Sequence, residues 1–169
     1  NFINFEIAEI KAGNTIKVIQ IETTLEVSIP ISELDYSVNI GGKVDRVDQY
    51  NGQTRIIDYK TGKVEQRELV INDWSLITTD HAYSKAMQVL MYALMLNQKG
   101  KPERVEAGII SFKNLNSGFL KLTSQTDGDS SKKDSFVTQE TLDRFLVELK
   151  TLILEICNSE IPFIEKEIK

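Results

Sequence analysis

Apolar positions recur along the chain with two periods, one helical and one of strand. Phe2, Ile3, Ile7 and Ile10 fall at helical spacing, so residues 1–12 read as the tail of a helix, and Gly13 suits the position after its C-cap. The period then shortens. Ile16, Val18 and Ile19 to Ile21 open a strand signal in which Leu25, Val27 and Ile29 alternate with polar residues, until Pro30 ends it. Val38 to Tyr50 alternates again, marked by Ile40, Val44 and Val47. Asn51-Gly52 follows, a hairpin signal because both central residues of a type I′ turn need positive φ. Thr54 to Lys60, with Ile56 and Ile57, is the expected partner strand, closed by Thr61-Gly62-Lys63.

Beyond the hairpin, residues 63–80 are mixed and read as loop, with Trp74 as a packing anchor. From His81 to Gln98, Ala82, Ala86, Val89, Leu90, Ala93 and Leu94 recur at three and four, which predicts a helix stopped by Gly100 and Pro102. Val105 to Phe112 is apolar and β-branched enough for a buried strand. Phe119 to Leu122 is its expected hairpin partner after Asn116-Ser117-Gly118. Residues 123–135 are polar, with glycine and serines, and predict an exposed loop. Thr138 suits the N-cap of a last helix, whose face is Leu142, Phe145, Leu146, Leu149, Leu152, Ile153 and Ile156. Asn158-Ser159 ends it, and Pro162 prevents a restart. The sum is a single α/β domain over residues 1–169: a central mixed β-sheet flanked by helices. The start at Asn1 suggests a fragment of a larger protein.

Composition narrows the class. With 41% hydrophobic and 27% charged residues in a chain of 169, this is a globular composition able to bury one core. No apolar run approaches a membrane span, and no signal peptide is visible. Cys157 stands alone, which excludes an internal disulfide and a CxxC metal site, so a cytoplasmic setting is expected. The net charge of −5 argues against a non-specific nucleic-acid binder. It does not exclude an enzyme acting on DNA, because acidic metal ligands make a site negative until cations load.

Three stretches carry candidate chemistry: Gly42-Lys43-Val44-Asp45-Arg46-Val47-Asp48, then Ile57-Asp58-Tyr59-Lys60-Thr61-Gly62, then Gln88 and Tyr92. The first two lie on opposite arms of the expected hairpin, so Asp45 and Asp58 are neighbours across or near the ladder. Asp58 and Lys60 are two apart on one strand and point to one face. Two carboxylates and an ammonium then converge, as phosphodiester hydrolysis with a divalent ion requires. Mg²⁺ takes one or two protein carboxylates and fills its octahedron with water and phosphate oxygens. Asp45 and Asp58 fit as ligands, and the Tyr59 backbone carbonyl is a further one. Lys60 is placed to orient the attacking water or to stabilise developing negative charge. Gln88 and Tyr92 share a helix face, to reach the phosphate backbone or to hold the ligands in place, and Lys85 extends that face.

This order of motifs resembles the RecB-like or AddB-like branch of the PD-(D/E)XK nuclease superfamily, whose pattern is G-x-[IV]-D-R-[IV]-D, then [IV]-[IV]-D-Y-K-[ST]-[GN], then Q-x-x-x-Y. The motifs span roughly residues 16–96. The resemblance implies a restriction-endonuclease-like core and a DNA exonuclease dependent on Mg²⁺ or Mn²⁺. Asp45 and Asp58 become metal ligands, Lys60 the catalytic lysine, and Gln88 and Tyr92 the downstream motif. Glu22 resembles a glutamate that often precedes the first motif and is a lesser candidate. The implied setting is a bacterial, cytoplasmic repair and recombination complex with DNA and a helicase subunit or other domains as partners, and no membrane. Two features depart from the family. No histidine precedes Asp45 to complete the site, and Cys157 has no companions to hold an iron–sulfur cluster, so none is expected.

Plainer readings compete at each position. Asp45, Arg46 and Asp48 could form a salt-bridged strand face, Lys60 an ordinary exposed lysine and Gln88 a solvated helix residue. The joint spacing favours the site. Glu22 reads equally as a surface charge, His81 as a helix start or surface residue, and Cys157 as a small buried hydrophobe. Met87, Met91 and Met95 read as core, and Lys132-Lys133 as a solvated pair. For the whole chain, the alternative is a catalytically silent nuclease fold for DNA binding or subunit docking. A stand-alone CRISPR-type nuclease is a third reading.

Overall fold

The structure, a computed structural model, describes residues 2–98, 100, 104–126 and 129–165. Helix α1 (Phe2–Lys11) leads into three successive antiparallel strands, β1 (Ile16–Ile29), β2 (Val38–Tyr50) and β3 (Gln53–Lys60). Gly13, at φ 94°, supplies the left-handed residue that turns the chain out of α1. Asn51 and Gly52 both take positive φ, 50° and 84°, as the hairpin requires. Asn51 also accepts the Thr15 backbone N–H at 2.8 Å, which ties this turn to the start of β1.

The chain then crosses over through short 3-10 turns and α2 (Ser84–Asn97) to place β5 (Glu106–Ser111) parallel to β3. A parallel pair needs such a connection. β6 (Phe119–Lys121) returns antiparallel, giving a five-stranded mixed sheet in the order β1-β2-β3-β5-β6. Every residue of β5 is buried, as expected of a strand covered on both faces. Gly108 admits β6, because a Cβ there would collide with the Leu120 carbonyl oxygen. Gly100 turns the chain after α2 at φ 70°, while Pro102 lies outside the described residues.

α2 lies against the sheet with Ala86, Val89, Leu90, Ala93 and Leu94 buried. Met95 joins them at 1% exposure, Met87 and Met91 pack at the edge, and Trp74 anchors the crossover against the same core. α3 (Gln139–Cys157) buries Leu142, Phe145, Leu149 and Ile153, and Thr138 caps it by accepting the Thr141 backbone N–H.

Two expectations need correction. The stretch 123–135 is not wholly loop: β7 (Thr123–Thr126) and β8 (Asp129–Asp134) form an antiparallel pair, and β7 joins the short strand β4 (Val70–Ile71). Their polar residues lack the apolar alternation that reveals a half-buried strand, and residues 127 and 128 between them lie outside the described set. Cys157 is exposed, with its Sγ 3.7 Å from the Tyr36 hydroxyl. The apolar stripe of α3 outruns the core, so its last turn projects beyond it and Ile156 is also exposed. His81 is exposed in the 3-10 turn His81–Tyr83 that leads into α2, as the surface reading expects.

Candidate active site

The site forms where the β2–β3 ladder stops. Paired residues run from Tyr50↔Gln53 to Arg46↔Ile57, and the next step brings Asp45 opposite Asp58. There the backbone N–H of Tyr59 donates to the Asp45 side chain, Oδ2, at 2.8 Å. The carboxylate thus takes up a strand N–H and is fixed beside Asp58.

Alternation along β3 turns Asp58 and Lys60 together toward α2. Asp58 is buried at 3% exposure, and Lys60 is half-buried. Lys60 Nζ stands 2.8 Å from Asp58 Oδ2 as an ion pair to this buried oxygen. Burial pushes the Asp58 carboxyl above its ordinary value. The Lys60 ammonium pulls it down, the Asp45 charge adds to the rise, and burial prevails.

Gln88 closes the arrangement from α2. Its Oε1 accepts from Lys60 Nζ at 2.8 Å, and its Nε2 donates to Asp58 Oδ1 at 3.1 Å and to the Tyr92 hydroxyl at 2.8 Å. Lysine offers only donors, so this orientation of the amide is the one the partners permit. The four-residue spacing of Gln88 and Tyr92 stacks them on one helix face. Burial pushes the Tyr92 phenol up, reinforced by the charges of Asp58 and Asp45, so it remains a neutral hydroxyl. Gly42 explains how α2 comes so near: a Cβ there would stand 3.1 Å from Met95 Cε and 3.5 Å from Tyr92 Cε1. Its role is close approach, which the motif spacing alone does not reveal.

Asp45, Asp58, Lys60, Gln88 and Tyr92 are therefore brought together. Two other candidates are placed elsewhere. Glu22 sits at φ 49°, 68% exposed in its side chain, and pairs with Lys43 at 2.6 Å. Lys85 pairs with Glu68 at 2.7 Å. Among the described residues, no group of three or more His, Cys, Asp and Glu is arranged to hold a metal ion, so the carboxylate set here is the pair Asp45 and Asp58.

Arg46 and Asp48 behave as the salt-bridge reading expects, on the opposite face of the sheet. Asp48 is fully buried and is gripped by both arms of Arg55 at 2.8 Å, with Arg46 2.7 Å away. Arg46 also reaches Glu6 of α1 at 2.7 Å and the Tyr59 hydroxyl at 3.2 Å. The motif is thus split by strand alternation. Asp45 turns to α2 and the site, and Arg46 and Asp48 turn to a structural network under α1.

The residues fit a divalent ion. Two adjacent carboxylates are hard oxygen donors, and the single Lys60 ammonium beside them leaves the pair net negative, which a divalent cation would offset. The chain belongs to the PD-(D/E)XK nuclease superfamily, whose model matches residues 3–167. Fold and family agree: a five-stranded mixed sheet flanked by helices is the restriction-endonuclease-like core, and the family is one of nucleases that generally use divalent metals. No curated protein matches the chain. Among the described residues, no helix is long and apolar enough to cross a membrane.

Proposed function

We propose that this domain is a Mg²⁺- or Mn²⁺-dependent DNA exonuclease that hydrolyses phosphodiester bonds at Asp45, Asp58 and Lys60. The observation that carries the reading is the buried Asp58 carboxylate, held between Lys60 and Gln88 and set beside Asp45 by the Tyr59 N–H. When bound, the divalent ion supplies Lewis-acid polarisation of the phosphoryl group and a template for it. Asp45 and Asp58 hold that ion, with the Tyr59 carbonyl as a further donor. Lys60 sits at the mouth of the pair, where its ammonium orients the attacking water or offsets charge as the P–O bond to the leaving oxygen breaks. Gln88 fixes both Lys60 and Asp58, and Tyr92 fixes Gln88. These two act on the geometry of the charged groups.

The RecB-like order of motifs supports a role within a bacterial, cytoplasmic helicase–nuclease that processes DNA ends for repair and recombination. An exonuclease acting at ends degrades linear DNA and spares covalently closed circles of the same sequence in Mg²⁺ or Mn²⁺. Equal cutting of circles would replace this reading with endonuclease action. A second reading, a silent nuclease fold for DNA binding or docking, is favoured by the site having only two carboxylates among the described residues. Metal binding with no cleavage of either substrate would select it.

A further inference from the structure

The site face of β3 is braced from behind. Tyr59 lies between Asp58 and Lys60, so its side chain emerges on the opposite face of the sheet. There its ring stacks on Phe112 at 5.4 Å between centroids and meets the edge of Phe2 of α1 at 5.3 Å. Phe2 and Phe112 also contact one another at 5.7 Å, so the three rings form one cluster. The Tyr59 hydroxyl accepts from Arg46 at 3.2 Å, and Arg46 is itself held by Glu6 and Asp48. The end of β3 is pinned as well, because the Phe112 N–H donates to the Lys60 carbonyl at 2.8 Å.

The peptide that carries this ring also fixes the site. Its N–H is the donor to Asp45 Oδ2. The ladder to β5 holds this backbone on one side, and on the other, where the β2 pairing has stopped, the ring and the N–H belong to the same residue. We infer that Tyr59 is a positioning residue: the aromatic cluster it forms with Phe2 and Phe112 aims its peptide N–H, and through it the Asp45 carboxylate, from the face of the sheet away from the chemistry. The inference rests on the reading of Asp45 and Asp58 as metal ligands. Stacking of the ring carries the effect, and the hydroxyl contact to Arg46 is secondary. α1 thereby joins the machinery of the site without touching it.

The test compares Tyr59→Leu, Tyr59→Phe and Ile153→Ala, the last a destabilised control in α3, which carries none of the site's residues. In the metal-free protein, exchange of the residue-59 amide is followed by NMR. Wild type and Tyr59→Phe are expected to protect it equally, Tyr59→Leu to speed it about tenfold or more, and Ile153→Ala to leave it unchanged relative to neighbouring amides. Calorimetry with Mn²⁺ is then expected to show affinity reduced ~10-fold or more in Tyr59→Leu, the scale of outer-sphere supports of metal ligands, and kept in Tyr59→Phe. An amide as protected in Tyr59→Leu as in wild type would overturn the inference. So would a loosened amide with unchanged Mn²⁺ affinity, which would make the cluster structural only. If wild type binds no Mn²⁺, the metal-site reading fails, and with it the inference that the cluster serves metal ligands, whereas failure in Tyr59→Leu alone leaves that reading standing.

Discussion

Replacing Gln88 with leucine removes three hydrogen bonds of unequal consequence. Lys60 and Tyr92 are only half-buried, so their lost partners can be replaced by water. Asp58 cannot be rescued in this way, because only 4% of its side chain is exposed and its other oxygen is already taken up by the Lys60 ammonium. The loss therefore falls on Asp58 Oδ1, and a hydrogen bond to a buried charged group contributes about 1.5–3 kcal/mol. For a chain of this size, ~2 kcal/mol lowers Tm by about 4–8 °C. The pH dependence carries the sign. Losing a donor to the charged form raises the Asp58 carboxyl further above its ordinary value, beyond the rise that burial already causes. The variant's deficit is therefore full above both raised values, where Asp58 is ionised in both proteins. It shrinks as pH falls through them and the carboxyl is protonated. Thermal unfolding of wild type and Gln88→Leu from pH 4 to 8.5, without metal, reads this directly. A deficit independent of pH, or none at all, would refute the account of Gln88 as the buried partner of Asp58.

Other perturbations separate the two faces of the sheet. Asp48→Ala leaves Arg46 and Arg55 buried without their shared carboxylate and is expected to cost about 3–5 kcal/mol in urea unfolding. The exposed Glu33→Ala should remain within ~0.5 kcal/mol. Gly42→Val presses branched methyls on Met95 and Tyr92, so stability should fall by ~1–3 kcal/mol and Mn²⁺ affinity with it, as unfolding and calorimetry would show. Metal binding requires an ionised carboxylate, and that of Asp58 is held above the usual range by burial. Mn²⁺ affinity should therefore weaken on acidification before ordinary carboxylates titrate. Calorimetry across pH 5–8 checks this, and a flat profile would count against it.

The hairpin at the centre of the site was legible because every local signal agreed: alternation in β2, Asn51-Gly52, and the apolar pair Ile56 and Ile57 in β3. The helical period of α2 likewise put Gln88 and Tyr92 on one face. Strand alternation separates Asp45 from Arg46 and Asp48, but spacing alone does not show which of the two faces meets α2 and which meets α1, because that depends on what packs against each side. The roles of Gly42 and Tyr59 depend on contacts with α2, α1 and the segment after β5, all distant in sequence. The polar residues of β7 and β8 carry no apolar alternation from which a strand could be read. Helical periodicity continues past the point where the core ends, so it places Cys157 with buried residues although the structure exposes it.

The central claim is that Asp45, Asp58 and Lys60 form a metal-dependent nuclease site. It is tested most directly by cleavage of end-labelled single- and double-stranded DNA in Mg²⁺ or Mn²⁺ by wild type, Asp58→Ala and Lys60→Ala. The expected result is cutting by wild type that chelation abolishes and both substitutions eliminate. Cutting that survives in either variant, or wild-type protein that neither cuts nor binds metal, would contradict it.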